Sequence, residues 1–137
     1  MVGSGHAARS TVIVVTWRGR DHLAACLDAL AAQSRPHATI VVDNGSTDGT
    51  ADILAGRSEP TLRLRHNRGF AGGVAVALRE VRTPFVAWLN DDAAPARDWL
   101  GALEDALDRE SGAAAVGSPL VGPDGAVQSL GVRLTEQ

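Results

Sequence analysis

The sequence contains no lysine, because all thirteen of its basic residues are arginine. This absence excludes any mechanism that depends on a catalytic or phosphate-binding lysine. Cysteine is almost as scarce, since Cys26 is the only one. One cysteine cannot form an internal disulfide, and its place on the apolar face of a predicted helix favours a buried, inert thiol over a nucleophile. A reducing compartment is consistent with this usage.

Long apolar runs are also missing. No run approaches the roughly 20 residues of a membrane span, and the opening "MVGSGHAARS" lacks the hydrophobic region of a signal peptide. The net charge of −3 gives no reason to expect nucleic acid as a partner, because such binding needs a dense field of basic residues. We predict a cytoplasmic protein, with peripheral association at the inner face of the membrane left open.

What the chain does have is the composition of a folded domain, with 45% hydrophobic and 21% charged residues. Its 137 residues suit one domain with a core of its own. We predict a flexible tail over residues 1–9 and a single domain over residues 10–137.

Two hydrophobic periods alternate along that domain. Strands are predicted at 10–16, 39–42, 61–66, 84–89 and 113–121, and helices at 21–32, 47–56, 71–81 and 96–110. A turn at 122–125 and one more extended segment at 126–134 follow. The continuous β-branched run at 10–16 is typical of a central strand, and the alternation at 61–66 of an edge strand. The order predicts an α/β fold, namely a doubly wound, mostly parallel sheet with helices on both faces.

Polar residues follow four of the predicted strands. In such sheets, ligands bind beyond the carboxyl ends of the strands, where the strand order reverses. One rim should therefore carry Thr16 and Trp17, Asp43 and Asn44, Asn67 to Gly69, and Asn90 to Asp92.

Adjacent carboxylates, Asp91 and Asp92, leave the fourth strand in "WLNDDAAP". Two like charges held close favour a compensating cation, and a hard ion such as Mg²⁺ or Mn²⁺ with oxygen ligands would supply it. The alternative is structural, because acidic residues also favour the dipole of a helix that would start near Pro95. Both interpretations stay open on these residues alone.

The stretch "VVDNGSTDGT" (41–50) carries more hydrogen-bonding capacity than a turn needs. Ser46, Thr47 and Asp48 are adequately explained as capping the next helix, with Ser46 as its N-cap. Asp43 is left over at the end of a buried strand, where it could accept a hydrogen bond from a nucleobase N–H.

A glycine-rich junction, "HNRGFAGGVAVAL" (66–78), joins the third strand to a helix. Gly69, Gly72 and Gly73 allow positive φ or close approach to a phosphate, and Arg68 adds a fixed positive charge. The Rossmann spacing G-x-G-x-x-G is absent, so tight packing explains these glycines equally well. His66 is interpreted as a strand-end residue and not as a metal ligand.

In combination, four segments resemble the successive motifs of family 2 glycosyltransferases with a GT-A fold, within which the pattern most resembles rhamnosyltransferase-like members. They are "VIVVTWRGRDHLAACLDALAAQ", "IVVDNGSTDGT", "LRHNRGFAGGVAVAL" and "FVAWLNDDAAPARDWLGAL". The resemblance covers about residues 10 to 121. It implies a UDP- or dTDP-linked sugar as donor, a divalent cation (Mg²⁺ or Mn²⁺), and a saccharide or lipid-linked acceptor.

Residue roles follow from this resemblance. Thr16 would touch the nucleoside and Asp43 the base, and Arg68 and Gly69 would line the base and diphosphate region. "NDD" corresponds to the D-x-D element of the family, so that Asn90 and Asp91 belong to the nucleotide-sugar site and Asp92 is the metal-contacting carboxylate.

The sequence departs from the family pattern in three ways. Asn90 replaces the first Asp of D-x-D, and Ala75 replaces the Asn of "GGxN". No counterpart of the acceptor-binding half or of the catalytic base precedes Gln137. The chain is thus expected to be the N-terminal, donor-binding half of an inverting enzyme, inactive alone.

Two other classes of function share parts of this pattern. The alternative is a non-catalytic nucleotide- or partner-binding module, and self-association through an uncovered face is expected as a hazard. A phosphoacceptor signalling domain is disfavoured because its site needs a lysine.

Overall fold

The computed structural model describes residues 7–130, so residues 1–6 of the predicted tail lie outside them. Contacts divide the chain into two compact units with the boundary between Arg97 and Asp98. The first unit contains β1 Ser10–Thr16, α1 Leu23–Ala31, β2 Ala38–Asp43, α2 Thr50–Ala55, β3 Thr61–Arg63, α3 Gly69–Leu78 and β4 Phe85–Asn90. The second contains α4 Trp99–Arg109, β5 Leu120–Val121 and β6 Val127–Ser129.

The main sheet has the strand order β3-β2-β1-β4, and every pair in it is parallel. All seven residues of β1 are buried, as its β-branched run predicts, and β3 lies at an edge, as its alternation predicts. The order reverses between β1 and β4, which puts the switch point beside the end of β1. The predicted α/β class with a parallel sheet is therefore confirmed.

Helices cover both faces of this sheet. Val74 and Ala77 of α3 pack on one face, against Ile13, Val15, Ile40 and Val42. The alternate residues of β1 and β2, including Val12, Val14 and Val41, are also fully buried. Right-handed crossovers put α1 and α2 on that second face. An ion pair of 2.9 Å between Asp28 of α1 and Arg57, which follows α2, is consistent with their shared side.

The fifth strand predicted at 113–121 does not join the parallel sheet. Only Leu120–Val121 is extended, and it pairs antiparallel with Val127–Ser129. The turn between them, predicted at 122–125, is closed by a 2.9 Å bond from Gly125 N to Gly122 O. Leu120 and Val121 are 53% and 58% exposed, so this segment lacks the two-sided burial typical of a parallel strand. Residues 131–134 of the predicted segment after it lie outside the described residues.

The predictions for His66 and Ser46 at the polar rim are wrong. β3 ends at Arg63 and not at residue 66, so His66 lies beyond the strand. α2 begins at Thr50 with Gly49 as its N-cap, and the prediction of Ser46 as the cap is wrong. The hydroxyl of Ser46 instead accepts a 2.9 Å bond from the backbone N–H of Arg18. Asp48 does serve the start of the helix, because its Oδ1 accepts from Thr50 N at 3.2 Å.

An apolar strip remains uncovered on β4. Val86 and Trp88 are 37% and 54% exposed, on the face where Trp88 is registered beside Ile13. Within residues 7–130, β4 pairs with β1 alone, so its outer edge is free. No helix of this part of the chain combines the length and the apolarity that crossing a bilayer requires.

Candidate functional site

The switch point between β1 and β4 is closed by a side-chain hydrogen bond. Thr16, which is fully buried, donates from Oγ1 to Asp91 Oδ2 at 2.6 Å. His22 Nε2 lies 3.4 Å from the same carboxylate oxygen. The structure thus brings together two residues that the sequence predicts for the site, with Asp91 turned toward the end of β1.

Gly19 leaves room for this contact. A Cβ at Gly19 would overlap Thr16 Oγ1 and would lie 2.8 Å from Asp91 Oδ2. Any side chain at this position would push Thr16 and Asp91 apart. The turn after β1 therefore depends on a glycine for space, at a φ that is not positive.

Asp43 ends β2 as a buried carboxylate that is only half satisfied. Its Oδ1 accepts from Ser46 N at 2.9 Å, whereas Oδ2 is buried with no hydrogen-bond partner in the described chain. Arg63 Nε approaches Oδ2 to 3.5 Å, and the Arg63 side chain is 60% exposed. Because a buried acceptor without a partner costs about 1–3 kcal/mol, Oδ2 is the clearest sign of an incoming donor.

A cavity of about 200 Å³ opens beside Asp43. Asp43 and Arg63 line it together with Thr61 and with Ala51, Leu54 and Ala55 of α2. Whole small-molecule sites occupy roughly 300–1,000 Å³, so this cavity suits one ring of a ligand and not an entire nucleotide sugar. Asp43 and Arg63 give the cavity a hydrogen-bond acceptor and a donor, whereas the residues of α2 that line it are apolar.

Asn44 joins the end of β2 to the β3–α3 loop. It is 2% exposed, and its Nδ2 donates to Asn67 Oδ1 and to Gly69 O, both at 3.0 Å. Its Oδ1 accepts from Arg68 N at 2.9 Å. The structure therefore connects Arg68 and Gly69 to the rim through a residue to which the sequence analysis assigned no role.

The glycines of this loop divide between two uses. Gly69 has φ +73°, and a Cβ there would meet nothing within 4 Å. Gly73 instead packs against the sheet, because a Cβ would lie 2.7 Å from Val15 Cγ1. Tight packing thus explains Gly73, whereas Gly69 provides a turn beside the exposed side chain of Arg68.

Trp17 is a rim residue that the sequence analysis did not include in the site. Its side chain is 51% exposed directly after a buried strand, and the Arg18 guanidinium lies 5.2 Å from its ring centroid. Arg18 has φ +58°, and Ser46 holds its N–H. The sequence does contain a signal for this role, because Trp17 directly follows a buried strand and precedes the polar segment "RGR".

The end of β4 is more open. Asn90 and Asp92 are exposed, and the described chain provides no hydrogen-bond partner for either side chain. The helix-dipole explanation of Asp91 and Asp92 fails, since α4 begins only at Trp99 and the dipole acts within the first turn. Among residues 7–130, no three His, Cys, Asp or Glu side chains form a group that could hold a metal ion by themselves.

Cys26 lies below this end of the sheet, with Sγ 3.4 Å from Asn90 O. Burial, together with the charges of Asp91 and Asp92, raises the pKa of its thiol from 9.0 to about 12. The thiol is neutral at physiological pH, and thiolate chemistry is suppressed. The prediction of a buried cysteine is confirmed.

Together, the fold and rim define a doubly wound α/β protein with polar side chains gathered at the carboxyl ends of its strands. The chain belongs to glycosyl transferase family 2, whose model matches residues 11–132. It is 35% identical over 97 residues to galactofuranosyltransferase GlfT1 of Mycolicibacterium smegmatis, covering 66% of this chain and 32% of that protein. It is 32% identical over 122 residues to the putative teichuronic acid biosynthesis glycosyltransferase TuaG of Bacillus subtilis, covering 84% and 48%.

Solved structures share this fold. A mannosyltransferase from Pyrobaculum calidifontis in complex with GDP-Man and Mn²⁺ aligns with a TM-score of 0.69 at 28% identity, over 88% of this chain and 37% of that one. S. aureus TarS 1-349 in complex with UDP-GlcNAc aligns with a TM-score of 0.68 at 25% identity, over 75% and 32%. The chain therefore spans between about a third and a half of the length of these relatives.

Proposed function

We propose that this chain is the donor-binding part of a family 2 glycosyltransferase and binds a nucleotide-diphosphate sugar. The observation that carries the proposal is Asp43, which lines a cavity of about 200 Å³ and whose Oδ2 is a buried acceptor without a hydrogen-bond partner in the described chain. Relatives that are named as glycosyltransferases, and neighbours that hold UDP-GlcNAc and GDP-Man, support it.

The base that fits this cavity is uracil or thymine. Each offers one N–H between two carbonyl oxygens, which matches one free acceptor on Asp43 and one donor on Arg63. Guanine carries an additional amino group on the same edge. Asp43 Oδ1 has only one lone pair left for that group, because Ser46 N–H donates to the same oxygen. The exposed ring of Trp17 offers a stacking surface for the base. UDP- or dTDP-linked donors are therefore expected.

The diphosphate would lie along the rest of the rim. Arg68 supplies an exposed cation at the start of α3, and Gly69 lets the backbone come close. Thr16 is fully buried and bonded to Asp91, so its proposed contact with the nucleoside would require a local opening at the end of β1.

The oxygen donors at the end of β4 fit a divalent ion. Mg²⁺ and Mn²⁺ commonly use one or two carboxylates and complete their shell with phosphate oxygens and water, so a three-carboxylate cage is unnecessary. Asp92 would hold the ion, with Asn90 beside it, whereas Asp91 is already bonded to Thr16. Bound there, the ion would neutralise charge that develops on the leaving diphosphate.

The reaction in the complete enzyme would be an inverting transfer. An acceptor hydroxyl would attack the anomeric carbon as a carboxylate removes its proton, and Arg68 would stabilise the departing diphosphate. No residue of this chain is assigned as that base. A saccharide or lipid-linked acceptor, membership of the rhamnosyltransferase-like group and a cytoplasmic location stay predictions.

A binding module without transfer is the second candidate. The exposed strip of Val86 and Trp88 beside the free edge of β4 favours it, because such a surface can take a partner or a second copy. Sugar transfer separates the two candidates when the complete enzyme is assayed. The 137 residues alone should bind the donor and show negligible transfer.

Thermal unfolding with UDP, dTDP, GDP and CDP, each with and without Mn²⁺, tests the proposal. A ligand at 100 times its Kd adds about 2.7 kcal/mol to the free energy of unfolding, which raises Tm by several degrees in a domain of this size. UDP or dTDP should raise Tm most, and Mn²⁺ should enlarge the shift. Equal shifts with all four nucleotides, or none, would contradict the proposal.

A further inference from the structure

The β2–α2 turn and the β3–α3 loop approach each other closely at the polar rim. A Cβ at Gly45 would lie 2.8 Å from both Cα and C of His66 and 3.0 Å from Asn67 N. Gly45 has φ +77°, so a glycine is required both for its conformation and for this approach. The two segments are therefore in backbone contact at this point.

Asn44 supplies the side-chain bonds across that contact. Its amide donates to Asn67 Oδ1 and Gly69 O at 3.0 Å and accepts from Arg68 N at 2.9 Å. Asn67 Oδ1 also accepts from Gly69 N at 2.7 Å, which closes the turn before α3. One buried amide thus fixes backbone groups on both sides of Arg68.

The other end of Asn44 is anchored in the sheet. Its backbone N–H donates to Thr16 O at 2.8 Å, which ties it to the end of β1. Because Asn44 is only 2% exposed, its side chain is packed on all sides. The Arg68 side chain is exposed and has no ion pair within the described residues, so its location depends on its backbone.

We propose that Asn44 is a positioning residue that fixes the Arg68–Gly69 turn and thereby sets the affinity for the diphosphate, and not for the nucleoside, of the donor. The affinity part rests on the proposed function, in which Arg68 meets the diphosphate. The positioning part rests on the hydrogen bonds alone.

Asn44→Ala and Asn44→Asp test the positioning part in the free protein. Asn44→Asp retains the acceptor for Arg68 N–H but loses the two donor bonds, whereas Asn44→Ala loses all three. Amide hydrogen exchange measured by NMR should accelerate at Gly69 in both variants, and at Arg68 only in Asn44→Ala. Thr47→Ala, an exposed change in the same turn, should alter neither rate. Unchanged exchange at Gly69 in the Asn44 variants would overturn the inference.

Calorimetric titration with UDP and with uridine tests the affinity part. Asn44→Ala should lower the affinity for UDP about tenfold, which is in the range of hydrogen bonds to charged groups. It should lower the affinity for uridine by less than about twofold. In an Arg68→Ala background, Asn44→Ala should change UDP binding by less than about twofold, because the two residues act through one contact. Asn44 would have a general structural role if Asn44→Ala lowered the affinities for UDP and uridine equally and if its effect added fully to that of Arg68→Ala. That result would overturn the inference.

Two outcomes separate this inference from the proposed function. A wild-type chain that binds no nucleotide would overturn the proposed function and the affinity part together. Intact UDP binding with unchanged exchange in the Asn44 variants would overturn the inference alone. If Asn44→Ala does not fold, the near-isosteric Asn44→Asp is compared with the wild type instead. The two measurements are then the amide exchange rate at Gly69 and the affinity for UDP.

Discussion

The ends of β1 and β2 differ sharply from the end of β4, although all three reach the same rim. At the first two, Thr16, Asp43 and Asn44 are at most 2% exposed and are held by hydrogen bonds. At the third, Asn90 and Asp92 are exposed, without side-chain hydrogen bonds to the described residues. The buried side is organised before a ligand arrives, whereas the open side must lose rotamer freedom on binding.

The largest effect is expected from breaking the buried side at Asp43. Asp43→Ala removes the free acceptor, and a hydrogen bond to a charged group contributes about 1.5–3 kcal/mol, so UDP affinity should fall about 100-fold. Asp43→Asn keeps the shape and removes the charge, and should lose less. Calorimetric titration measures both. Asp52→Ala, an exposed carboxylate of α2, is the control, and a Kd of Asp43→Ala within twofold of wild type would remove Asp43 from the site.

An intermediate effect is expected on the open side. Asp92→Ala should abolish the increase in UDP affinity that Mn²⁺ produces, about tenfold in size, and should leave affinity without metal nearly unchanged. The comparison is sharpened because Asp91, next in sequence, is already bonded to Thr16. UDP titrations with and without Mn²⁺ measure this difference. A variant that keeps the full increase would contradict the metal role of Asp92.

The smallest effect is expected at the junction of the two sides. Thr16→Val removes the hydroxyl that donates to Asp91 and should lower the free energy of unfolding by about 1 kcal/mol. Thr16→Ser keeps the hydroxyl and serves as the matched variant. Urea unfolding followed by circular dichroism measures both. The bond would be unimportant to stability if Thr16→Val unfolded at the same urea concentration as the wild type.

Much of the sheet could be predicted from the hydrophobic patterns of single segments. The β-branched run of β1 and the alternation in β3 report how many faces are covered. The face of α3 was less predictable, because Ala71, Val74, Ala75 and Leu78 share a helical stripe but the buried residues are Gly73, Val74 and Ala77. Gly73 has no side chain to register in such a pattern, although its contact with Val15 brings the helix close to the sheet.

The rim could be predicted only as a set of strand ends. Local sequence specifies that Thr16 and Asp91 each follow a strand, but their bond requires β4 to lie beside β1. The prediction of a fifth parallel strand was wrong for a related reason. Only Leu120–Val121 is extended, and it pairs with β6, its neighbour along the chain. Asn44 was predicted to lie on the rim, but its role could not be predicted because its partners lie on a loop 23 to 25 residues away.

The left-handed backbone at Arg18 has a consequence for Trp17. A non-glycine residue in this region stores conformational energy, and here the Ser46 hydroxyl on a different loop retains it. Arg18 also lies with its guanidinium 5.2 Å from the ring centroid of Trp17. The backbone on which this aromatic–cation pair is mounted is thus held by a serine 28 residues further along the chain.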